Sequence, residues 1–525
     1  MSLHLRTKNS GRIDRTKPLT FTFDGKTYKG FHGDTLASAL LANGVHLMGR
    51  SFKYHRPRGV VTAGSDEPNA LVSVGVGARH TPNLRATQVE LYDGLVAKSQ
   101  NAWPSLSFDI GSINNVLSPL FVAGFYYKTF MWPNIAWKKL YEPVIRRAAG
   151  LGTAPTSPDP DHYSTRYAHC DVLVIGAGPA GLSAALAAAE SGARVILCDE
   201  QAEFGGSLLS DLHATIDGQS ASEWVAHAVQ TLSAKSGTVT LLSRTQAFGY
   251  FAQNFVGLVE RVTDHLASPD KKLPRDRLWQ VRAKEVVIAT GAHERPLVFP
   301  DNDRPGIMLA DAARIFANRY GVRPGGRAVV ATAHDSAYQA ALDLKAAGVT
   351  IERIVDLRHE ATGALPNAAR AAGIRVETGT AITGSTGTLR VKSARVSKRG
   401  TDGEEDVPCD LILMCGGWTP SVHLFSQSRG KLKFDTERNV FIPSTSVQAE
   451  RSAGACKGSE TLADAFADGF VAGADAAAKA GFSASAPQIS VAGAHDAKGG
   501  FLGAVPHPHD RSEEHTSELQ SRVDI

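Results

Sequence analysis

The sequence has few cysteines, and their placement argues against several kinds of chemistry. Five cysteines occur among 525 residues, and the first of them is Cys170. Their number is odd and no two are spaced C-x-x-C, so we expect no disulfide framework and favour a reducing compartment. No two cysteines are adjacent enough in sequence to suggest the redox pair of a disulfide reductase, so we do not expect disulfide reduction.

Neither sign of charge is in large excess, and long apolar runs are also scarce. Lys and Arg number 56 against 52 Asp and Glu, which gives a formal net charge of +4 and no argument for nucleic acid binding. No stretch approaches the roughly 20 apolar residues that cross a bilayer. The basic N-terminus lacks the apolar core of a secretory signal. We therefore expect a cytoplasmic protein that binds neither nucleic acid nor a membrane.

The first third of the chain predicts a small β-rich domain and a connector. We expect residues 1–17 to form a disordered tail and residues 18–101 to form a ferredoxin-like β-grasp domain. Its pattern indicates two strands around Asp24-Gly25, a helix capped by Asp34 or Thr35, and strands in NALVSVG and ATQVELYDG. Residues 102–168 predict a connector buried between domains or subunits, with a membrane-surface helix as the less favoured alternative.

The rest of the chain has an α/β pattern, with strands and helices in alternation. Residues 169–304 and 401–480 predict a first dinucleotide-binding domain, and residues 305–400 predict a second, inserted Rossmann-like domain. The predicted fold class is therefore α/β, a Rossmann-type arrangement like that of the two-dinucleotide-binding-domain flavoproteins, preceded by a cysteine-free β-grasp domain. We expect residues 481–525 to be incomplete or disordered. The last fifteen resemble translated sequencing adapter, which leaves a non-native origin open.

The strongest motif is VLVIGAGPAGLSAA, in which Gly176, Gly178 and Gly181 form G-x-G-x-x-G between a strand and a helix. The first glycine permits a tight turn, the second leaves room for a pyrophosphate, and the third lets helix and strand pack closely. The helix N-terminus then offers N–H groups to the phosphates. Asp199 ends the next strand, where a carboxylate bonds ribose hydroxyls, and Glu200 is its alternative. An acidic residue there disfavours NADP. A glycine-rich turn that binds nothing is the competing interpretation.

A second segment supports this site. Ala289-Thr290-Gly291 ends a strand in EVVIATGAHERP and resembles the ATG motif of two-domain flavoproteins, which passes near the dinucleotide. His293 and Glu294 are candidates for outer contacts only, and we assign no catalytic residue and no metal ligand. The predicted cofactor-binding residues are Gly176, Ala177, Gly178, Pro179, Ala180, Gly181, Asp199, Glu200, Thr290 and Gly291.

The second strand–helix–strand unit has a degenerate motif. When its helix is aligned with the first, the three glycine positions fall on Thr332, His334 and Ala337. Alanine is tolerated at the third position, but a histidine stands where a pyrophosphate would approach. Asp356 still ends the following strand. We therefore expect the ordinary NAD(P)H site of this domain to be lost or altered, and the unit to act as scaffold.

The long loop of the β-grasp domain is basic. Plant-type ferredoxins hold a [2Fe–2S] cluster with cysteines of the equivalent loop, but residues 1–169 contain no cysteine, so we expect no iron–sulfur cluster there. The loop instead carries Arg50, Lys53, His55, Arg56 and Arg58. It binds an anion, contacts an acidic partner, or is simply solvated; the sequence leaves these three open.

Several motifs together resemble one family. They are RSFKYHRPRG with AGSDEPNALV, GFYYKTFMWP, GAGPAGLSAA, ATGAHERPLVFP, ATAHDSAYQAALDL and CGGWTPSVHL. Over roughly residues 18–480 the chain is similar to the α subunit of heterotetrameric sarcosine oxidase. The resemblance implies a complex that oxidises sarcosine to glycine and forms hydrogen peroxide. Its FAD lies in a β subunit, and a covalent FMN lies between α and β. It also implies NAD at the Rossmann site, held by Gly176, Gly178, Gly181 and Asp199.

The resemblance further implies that the chain works within a complex and is not active alone. Its expected partners are smaller subunits and the FAD-containing β-type subunit. The family's α subunit has a folate-binding C-terminal half, which we expect this chain to lack. One alternative is a subunit of an opine oxidase, hydrogen cyanide synthase or proline dehydrogenase complex, with FAD at the same site. Another is a non-catalytic scaffold that binds a nucleotide.

Overall fold

The computed structural model describes residues 3–118, 132–148, 150–398, 401, 403–494 and 497–499. These residues form two compact units. Unit 1 comprises the described parts of residues 1–160 and 295–417, and unit 2 those of residues 161–294 and 418–501. Most of the predicted aromatic stretch GFYYKTFMWP and the last fifteen residues lie outside the described ranges. Within the described part of the chain, no helix combines the length and the apolarity needed to cross a membrane.

The N-terminal part of unit 1 contains a five-stranded sheet. Its strands, in spatial order, are Lys26–His32, Asp14–Phe23, Val96–Ser99, Leu71–Val74 and Thr81–Arg85. The first two form the predicted antiparallel hairpin around Asp24-Gly25, where both residues have positive φ as a tight hairpin requires. The predicted helix spans Leu36–Ala42 and is capped by Thr35, whose side chain accepts a hydrogen bond from the Ser38 N–H.

Two predictions about this part were wrong. The segment ATQVELYDG does not form the predicted strand. The carbonyls of Ala86 and Val89 instead accept hydrogen bonds from the first N–H groups of the helix Leu36–Ala42. The predicted disordered tail is packed over its described residues. Arg6 forms an ion pair of 2.6 Å with the buried Asp34, and the Thr7 N–H donates to the Gly321 carbonyl.

The remainder of unit 1 contains a parallel sheet. Its strands, in spatial order, are Ile307–Leu309, Leu411–Cys415, Arg327–Thr332, Thr350–Asp356 and Val376–Thr378. Its helices are Ala310–Asn318, Ser336–Ala346 and Ala364–Ala371, and an antiparallel sheet of Thr380–Gly387, Val391–Lys398 and Glu404–Pro408 follows. The predicted boundary at residue 401 differs from the structure, because Leu411–Cys415 pairs with Arg327–Thr332 and so belongs to the sheet of the inserted domain.

Smaller elements complete unit 1. Gly49–Arg50 pairs with Pro57–Arg58 in the basic loop, and Gly77–Arg79 forms a 3-10 turn. The described parts of the predicted connector contain short helical pieces at Ile110–Ser112, Ile113–Val116, Asn134–Ala136, Trp137–Tyr141 and Glu142–Ala148.

Unit 2 contains the first dinucleotide-binding fold. The strands of its main sheet, in spatial order, are Val239–Leu242, Val195–Cys198, Tyr163–Ile175, Asp276–Ile288, Phe255–Arg261 and Thr245–Phe251, with Glu450–Ser452 also pairing with Asp276–Ile288. Its helices are Pro179–Glu190, Ala221–Ala234, His423–Gln427 and Leu462–Lys479. The first strand starts at Tyr163, six residues before the predicted domain boundary, because its polar first half pairs with Asp276–Arg282.

The other elements of unit 2 are short. Thr215–Ile216 pairs with Gln219–Ser220 and with Val491–Ala492, Ala292–Glu294 pairs with Trp418–Pro420, and Lys431–Asp435 pairs with Val440–Thr445. Two 3-10 turns span Gly206–Ser210 and Gly454–Lys457. The strand Val491–Ala492 lies within residues 481–525, for which the sequence predicts an incomplete or disordered segment. It is ordered because it adds an edge to the Thr215–Ile216 hairpin.

Close packing of two helices positions the nucleotide motif. The helix Leu462–Lys479 lies against the helix Pro179–Glu190. A side chain at Gly469 would collide with the carbonyl oxygen of Ala180, and one at Gly473 with that of Ala184. Glycine therefore lets the two backbones approach directly, which fixes the helix that begins at the fingerprint.

Candidate functional site

The first and third glycines of the fingerprint are required by the protein's own packing. Gly176 has φ +95°, and a Cβ there would collide with the carbonyl oxygen of Ala289. A Cβ at Gly181 would collide with the carbonyl oxygen of Gly176. The structure thus gives a tight turn to the first position and a helix–strand contact to the third, as the motif predicts.

Gly178 is different, because no packing constraint demands glycine there. The nearest heavy atom to a Cβ at this position would be Gly206 Cα, at 3.9 Å. Its φ is −75°, which any residue adopts. The space above Gly178 is therefore nearly open, with one protein atom at van der Waals distance from the Cβ position, as a cradle for a pyrophosphate would be.

The start of the helix Pro179–Glu190 faces this space with backbone N–H groups. Gly178 is the N-cap, no side chain caps the helix, and Pro179 is its first residue. Proline has no N–H to leave unsatisfied at that position, so the donors of the first turn begin with Ala180 and Gly181. Uncapped N–H groups together with the helix dipole favour an anion.

A pair of glycines that the sequence analysis missed covers the fingerprint loop. The Gly205 N–H donates to the Ala177 carbonyl at 2.8 Å. A Cβ at Gly206, which has φ +54°, would lie 2.8 Å from Gly178 Cα. The signal was the dipeptide Gly205-Gly206 shortly after the acidic strand end, since consecutive glycines indicate a close backbone approach.

Asp199 supports the loop directly. It follows the strand Val195–Cys198, and its Oδ2 accepts a hydrogen bond of 2.7 Å from the Ala177 N–H. Its Oδ1 accepts one of 2.8 Å from the Gln201 N–H. The structure thus brings this predicted residue to the fingerprint. Glu200 is bonded through its carbonyl, which accepts from Arg261 at 3.3 Å.

The ATG segment lies beside the fingerprint strand. The Ala289 N–H donates to the Ile175 carbonyl at 2.8 Å, so the segment continues the sheet next to Gly176. Thr290 donates through its hydroxyl to the Ser421 carbonyl at 3.0 Å, and the Ser421 N–H donates to the Gly291 carbonyl at 3.0 Å. Ser421 is distant in sequence and was missed for that reason.

His293 and Glu294, the candidates for outer contacts, lie on a small two-stranded sheet. His293 pairs with Thr419, and Glu294 with Trp418. The ring of His293 stands edge-on to that of His423, with centroids 6.1 Å apart. The structure therefore gathers these predicted residues next to the ATG segment.

The degenerate loop of the second unit is occupied by its own side chains. The Thr332 hydroxyl accepts the His334 N–H at 2.8 Å, and His334 Nδ1 lies 3.0 Å from the Ser336 hydroxyl. Asp356 is fully buried, and its Oδ2 accepts from Arg358 at 2.6 Å. The carboxylate at this strand end is thus fully buried, whereas Asp199 at the corresponding place of the first unit is partly exposed.

The histidine of this loop gives a pH-dependent prediction. Burial, together with Arg358 and against the opposing effect of Asp335, lowers the pKa of His334 from 6.5 to about 4. The unfolded chain then binds a proton more readily than the folded one between these values. We expect the stability to be full above pH ~6.5 and to fall toward pH ~4, by at most about 1.4 kcal/mol per pH unit.

The measurement is urea unfolding of the wild type and of His334→Gln at pH 7 and pH 5. The stability difference between the two proteins should shift in favour of the variant at pH 5, because glutamine does not titrate. An equal difference at both pH values would show that His334 is not held neutral.

The basic loop uses its charges within the protein. Arg50 donates to the carbonyls of Leu106 and His55, and His55 Nδ1 lies 2.7 Å from Asp109 Oδ2. Arg58 forms an ion pair with Asp303. These three side chains therefore organise the loop itself.

The thiols are not arranged for disulfide chemistry. None of the five cysteines is in a disulfide bond, and all five are buried. Burial raises the pKa of Cys170 and of Cys409 to about 12, so neither forms a thiolate near neutral pH.

Two family models match the chain. Residues 170–446 match the pyridine nucleotide-disulphide oxidoreductase family. The matched range includes both the fingerprint and the degenerate loop. Residues 16–102 match the 2Fe-2S iron-sulfur cluster binding domain family, which corresponds to the N-terminal sheet and its helix.

The second match corrects one expectation. We expected no iron–sulfur cluster in residues 1–169, and the match to a cluster-binding family contradicts that expectation. The matched residues contain no cysteine, and among the residues that the structure describes no group of three or more His, Cys, Asp or Glu side chains is placed to hold a metal ion. The residues that the structure describes within this match therefore lack the thiolate ligands of a cluster.

Curated relatives cover most of the chain. The sarcosine oxidase alpha subunit of Rhizobium meliloti (strain 1021) is 50% identical over 464 residues, which are 88% of this chain and 46% of that protein. The one from Corynebacterium sp. (strain P-1) is 41% identical over 480 residues, 90% of this chain and 45% of that protein. The chain thus spans about half the length of these relatives.

More distant similarities are to proteins that are not called sarcosine oxidase subunits. An opine oxidase subunit from Agrobacterium tumefaciens (strain Ach5) is 28% identical over 306 residues, 52% of this chain and 58% of that protein. The crystal structure of L-proline dehydrogenase from P. horikoshii is similar with a TM-score of 0.63 and 19% identity, and covers 97% of this chain and 82% of that one. At that identity the likeness shows the fold alone.

Proposed function

The chain belongs to the pyridine nucleotide-disulphide oxidoreductase family and is a homologue of sarcosine oxidase α subunits, and on this premise we propose that it is the dinucleotide-binding, α-type subunit of an amine-oxidising complex of the sarcosine oxidase type. The observation that carries the proposal is the 50% identity over 88% of the chain. The complex oxidises sarcosine to glycine and forms hydrogen peroxide.

The proposed ligand of this chain is NAD, with FAD as the second candidate for the same site. The open space above Gly178 and the uncapped N–H groups of the helix Pro179–Glu190 fit a pyrophosphate. Asp199 would hold the adenine-side ribose, and its charge would repel a 2′-phosphate. The proposed contact set remains the ten residues predicted from the sequence, to which we add Gly205 and Gly206.

Flavin in the complex would accept the hydride from the carbon next to the substrate nitrogen. The proposed partners are smaller subunits and an FAD-containing β-type subunit, with FMN held between α and β. Residues of this chain would bind and orient the dinucleotide. No residue of this chain is assigned to FMN or to the substrate amine.

Activity of the assembled complex tests the proposal. We expect the chain, co-expressed with its β-type and smaller subunits, to release hydrogen peroxide with sarcosine, and the chain alone to release none. A complex that oxidises an opine or proline but not sarcosine would favour the second candidate, a subunit of an opine oxidase or proline dehydrogenase. The similarity to the opine oxidase subunit is the observation behind that alternative.

A further inference from the structure

One half of the main sheet in unit 2 has two contrasting faces. It is formed by residues 163–169, 276–282, 255–261 and 245–251 of four neighbouring strands. Successive side chains of a strand point to opposite faces of the sheet. On one face, Trp279 and Leu258 are buried in the hydrophobic core. The other face, named here the open face, extends from Tyr167 on the first strand to Phe248 and Phe251 on the last.

Solvent reaches the open face across its width. Tyr167 is 75% exposed, Phe251 50% and Phe248 49%. Between these margins, Leu278 and Phe255 stand on the two central strands, and both are partly exposed. Side chains of central strands remain partly exposed where no further layer packs on the sheet. In the part of the chain that the structure describes, nothing therefore covers this face.

The aromatic rings of the open face are only partly explained by the fold. A Cβ at Gly257 would collide with the ring of Phe248, and one at Gly249 with the ring of Phe251. Each ring therefore lies on a glycine, which stabilises the hairpin but leaves about half of each side chain in water. Tyr167, at the other margin, is more exposed than either. Exposed aromatic side chains gathered on one face indicate an interaction surface.

The first strand adds an open edge beside this face. Its last residues, Val172–Ile175, pair with Val195–Cys198. Residues 163–169 pair only on their other side, with 276–282, and among the described strands none lies against their outer edge. Such an edge offers backbone donors and acceptors to an added strand. A polypeptide can use the edge and the face together, whereas a nucleic acid strand can stack on the rings but cannot extend the backbone ladder.

The charge of this region indicates the chemistry of its occupant. No Asp or Glu stands at the positions of the open face between the two margins. The exposed charged side chains are Arg282, which lies over the ring of Phe255 at 5.3 Å, and Arg166 on the edge strand. Opposite charges on neighbouring strands stabilise their pairing. A strand that carries acidic side chains is therefore the complementary occupant.

A second copy of the chain is a poor occupant of the same edge. A symmetric dimer would pair the edge strand with itself in antiparallel orientation. The register that pairs all seven residues 163–169 sets Arg166 directly opposite Arg166 of the other copy. Like charges directly opposite each other destabilise a strand pair. The charges therefore favour a different polypeptide.

We propose that the open face and the edge 163–169 form the docking surface for a different subunit, which adds a strand with acidic side chains to this sheet. The inference rests on the proposed function, in which the chain is one component of a hetero-oligomer. It adds the place in unit 2 where another subunit of that complex is bound.

Native mass spectrometry of the tagged chain, co-expressed with its β-type and smaller subunits, tests the inference. The double variant Thr165→Glu/Tyr167→Glu places two acidic groups at exposed positions of the edge strand. It should retain at least about 10-fold less of one partner subunit per chain, because like charges would meet in the interface. The charge reversal Arg166→Glu is a second variant, and it should weaken retention of the same subunit.

The matched control is Phe441→Glu/Thr445→Glu. It also changes an exposed aromatic residue and an exposed threonine on one strand of unit 2, and it should retain every subunit as the wild type does. Tyr167→Phe, which keeps the ring, should do the same. The changed positions of the two double variants are exposed, so their thermal unfolding should match that of the wild type.

The outcomes separate this inference from the proposed function. If the wild type retains no partner subunit, the proposed function fails and the docking surface fails with it. If the wild type and the double variant Thr165→Glu/Tyr167→Glu retain all subunits equally, only the docking surface is wrong. Sedimentation of the isolated chain and titration with a single-stranded oligonucleotide complete the test. Self-association or oligonucleotide binding that this double variant abolishes would assign the surface to another occupant and overturn the inference.

Discussion

Gly178→Val should abolish retention of the nucleotide and leave the fold intact. The new side chain would enter the open space where we place the pyrophosphate, and the protein atom nearest to its Cβ position is Gly206 Cα, at 3.9 Å. We expect binding to weaken by at least about 1000-fold, or about 4 kcal/mol. Mass spectrometry of ligand released from purified protein measures the loss, and circular dichroism checks the fold.

The matched control is Gly237→Val. Gly237 lies in the same unit, has no positive φ, and has nothing within 4 Å of its Cβ position. The control should retain as much nucleotide as the wild type. If Gly178→Val also retains a full complement, the fingerprint does not hold the ligand.

Gly181→Val should act on the fold and lower the stability of the protein, in contrast to Gly178→Val. Its Cβ would collide with the carbonyl oxygen of Gly176, which lies at the strand–helix turn and cannot move without breaking that turn. Forcing atoms into a packed contact costs about 3 kcal/mol or more at such a site. We expect the melting temperature to fall by roughly 6–12 °C in a unit of this size.

Calorimetry of Gly181→Val and Gly237→Val in nucleotide-free protein measures this effect without a contribution from ligand binding. A melting temperature equal to that of the control would mean that helix and strand are not packed as described. The contrast between Gly178 and Gly181 then separates the two roles within one motif, since one position serves the ligand and the other serves the fold.

The local patterns predicted the tight turn at Gly176 and the close helix–strand contact at Gly181. The roles of Gly176 and Gly181 follow from backbone geometry that the spacing alone specifies, and the collisions in the structure agree with them. The disrupted second motif was also readable, because His334 is too large for a glycine position. The structure shows this loop bonded to itself through Thr332 and Ser336.

Long-range contacts explain what the sequence did not indicate. Ser421 reaches the ATG segment from 131 residues away. The tail was predicted to be disordered because it is polar, but Arg6 has a buried partner in Asp34. The segment ATQVELYDG has the alternation of a strand, yet the N-terminus of a helix takes its hydrogen bonds.

A structure of the chain with its bound dinucleotide tests the central claim most directly. We expect the pyrophosphate to lie over Gly178 against the first turn of the helix Pro179–Glu190, with Asp199 within hydrogen-bond distance of a ribose hydroxyl. Density for the ligand at the loop of Thr332 and Asp356 instead, with the space above Gly178 empty, would contradict the account.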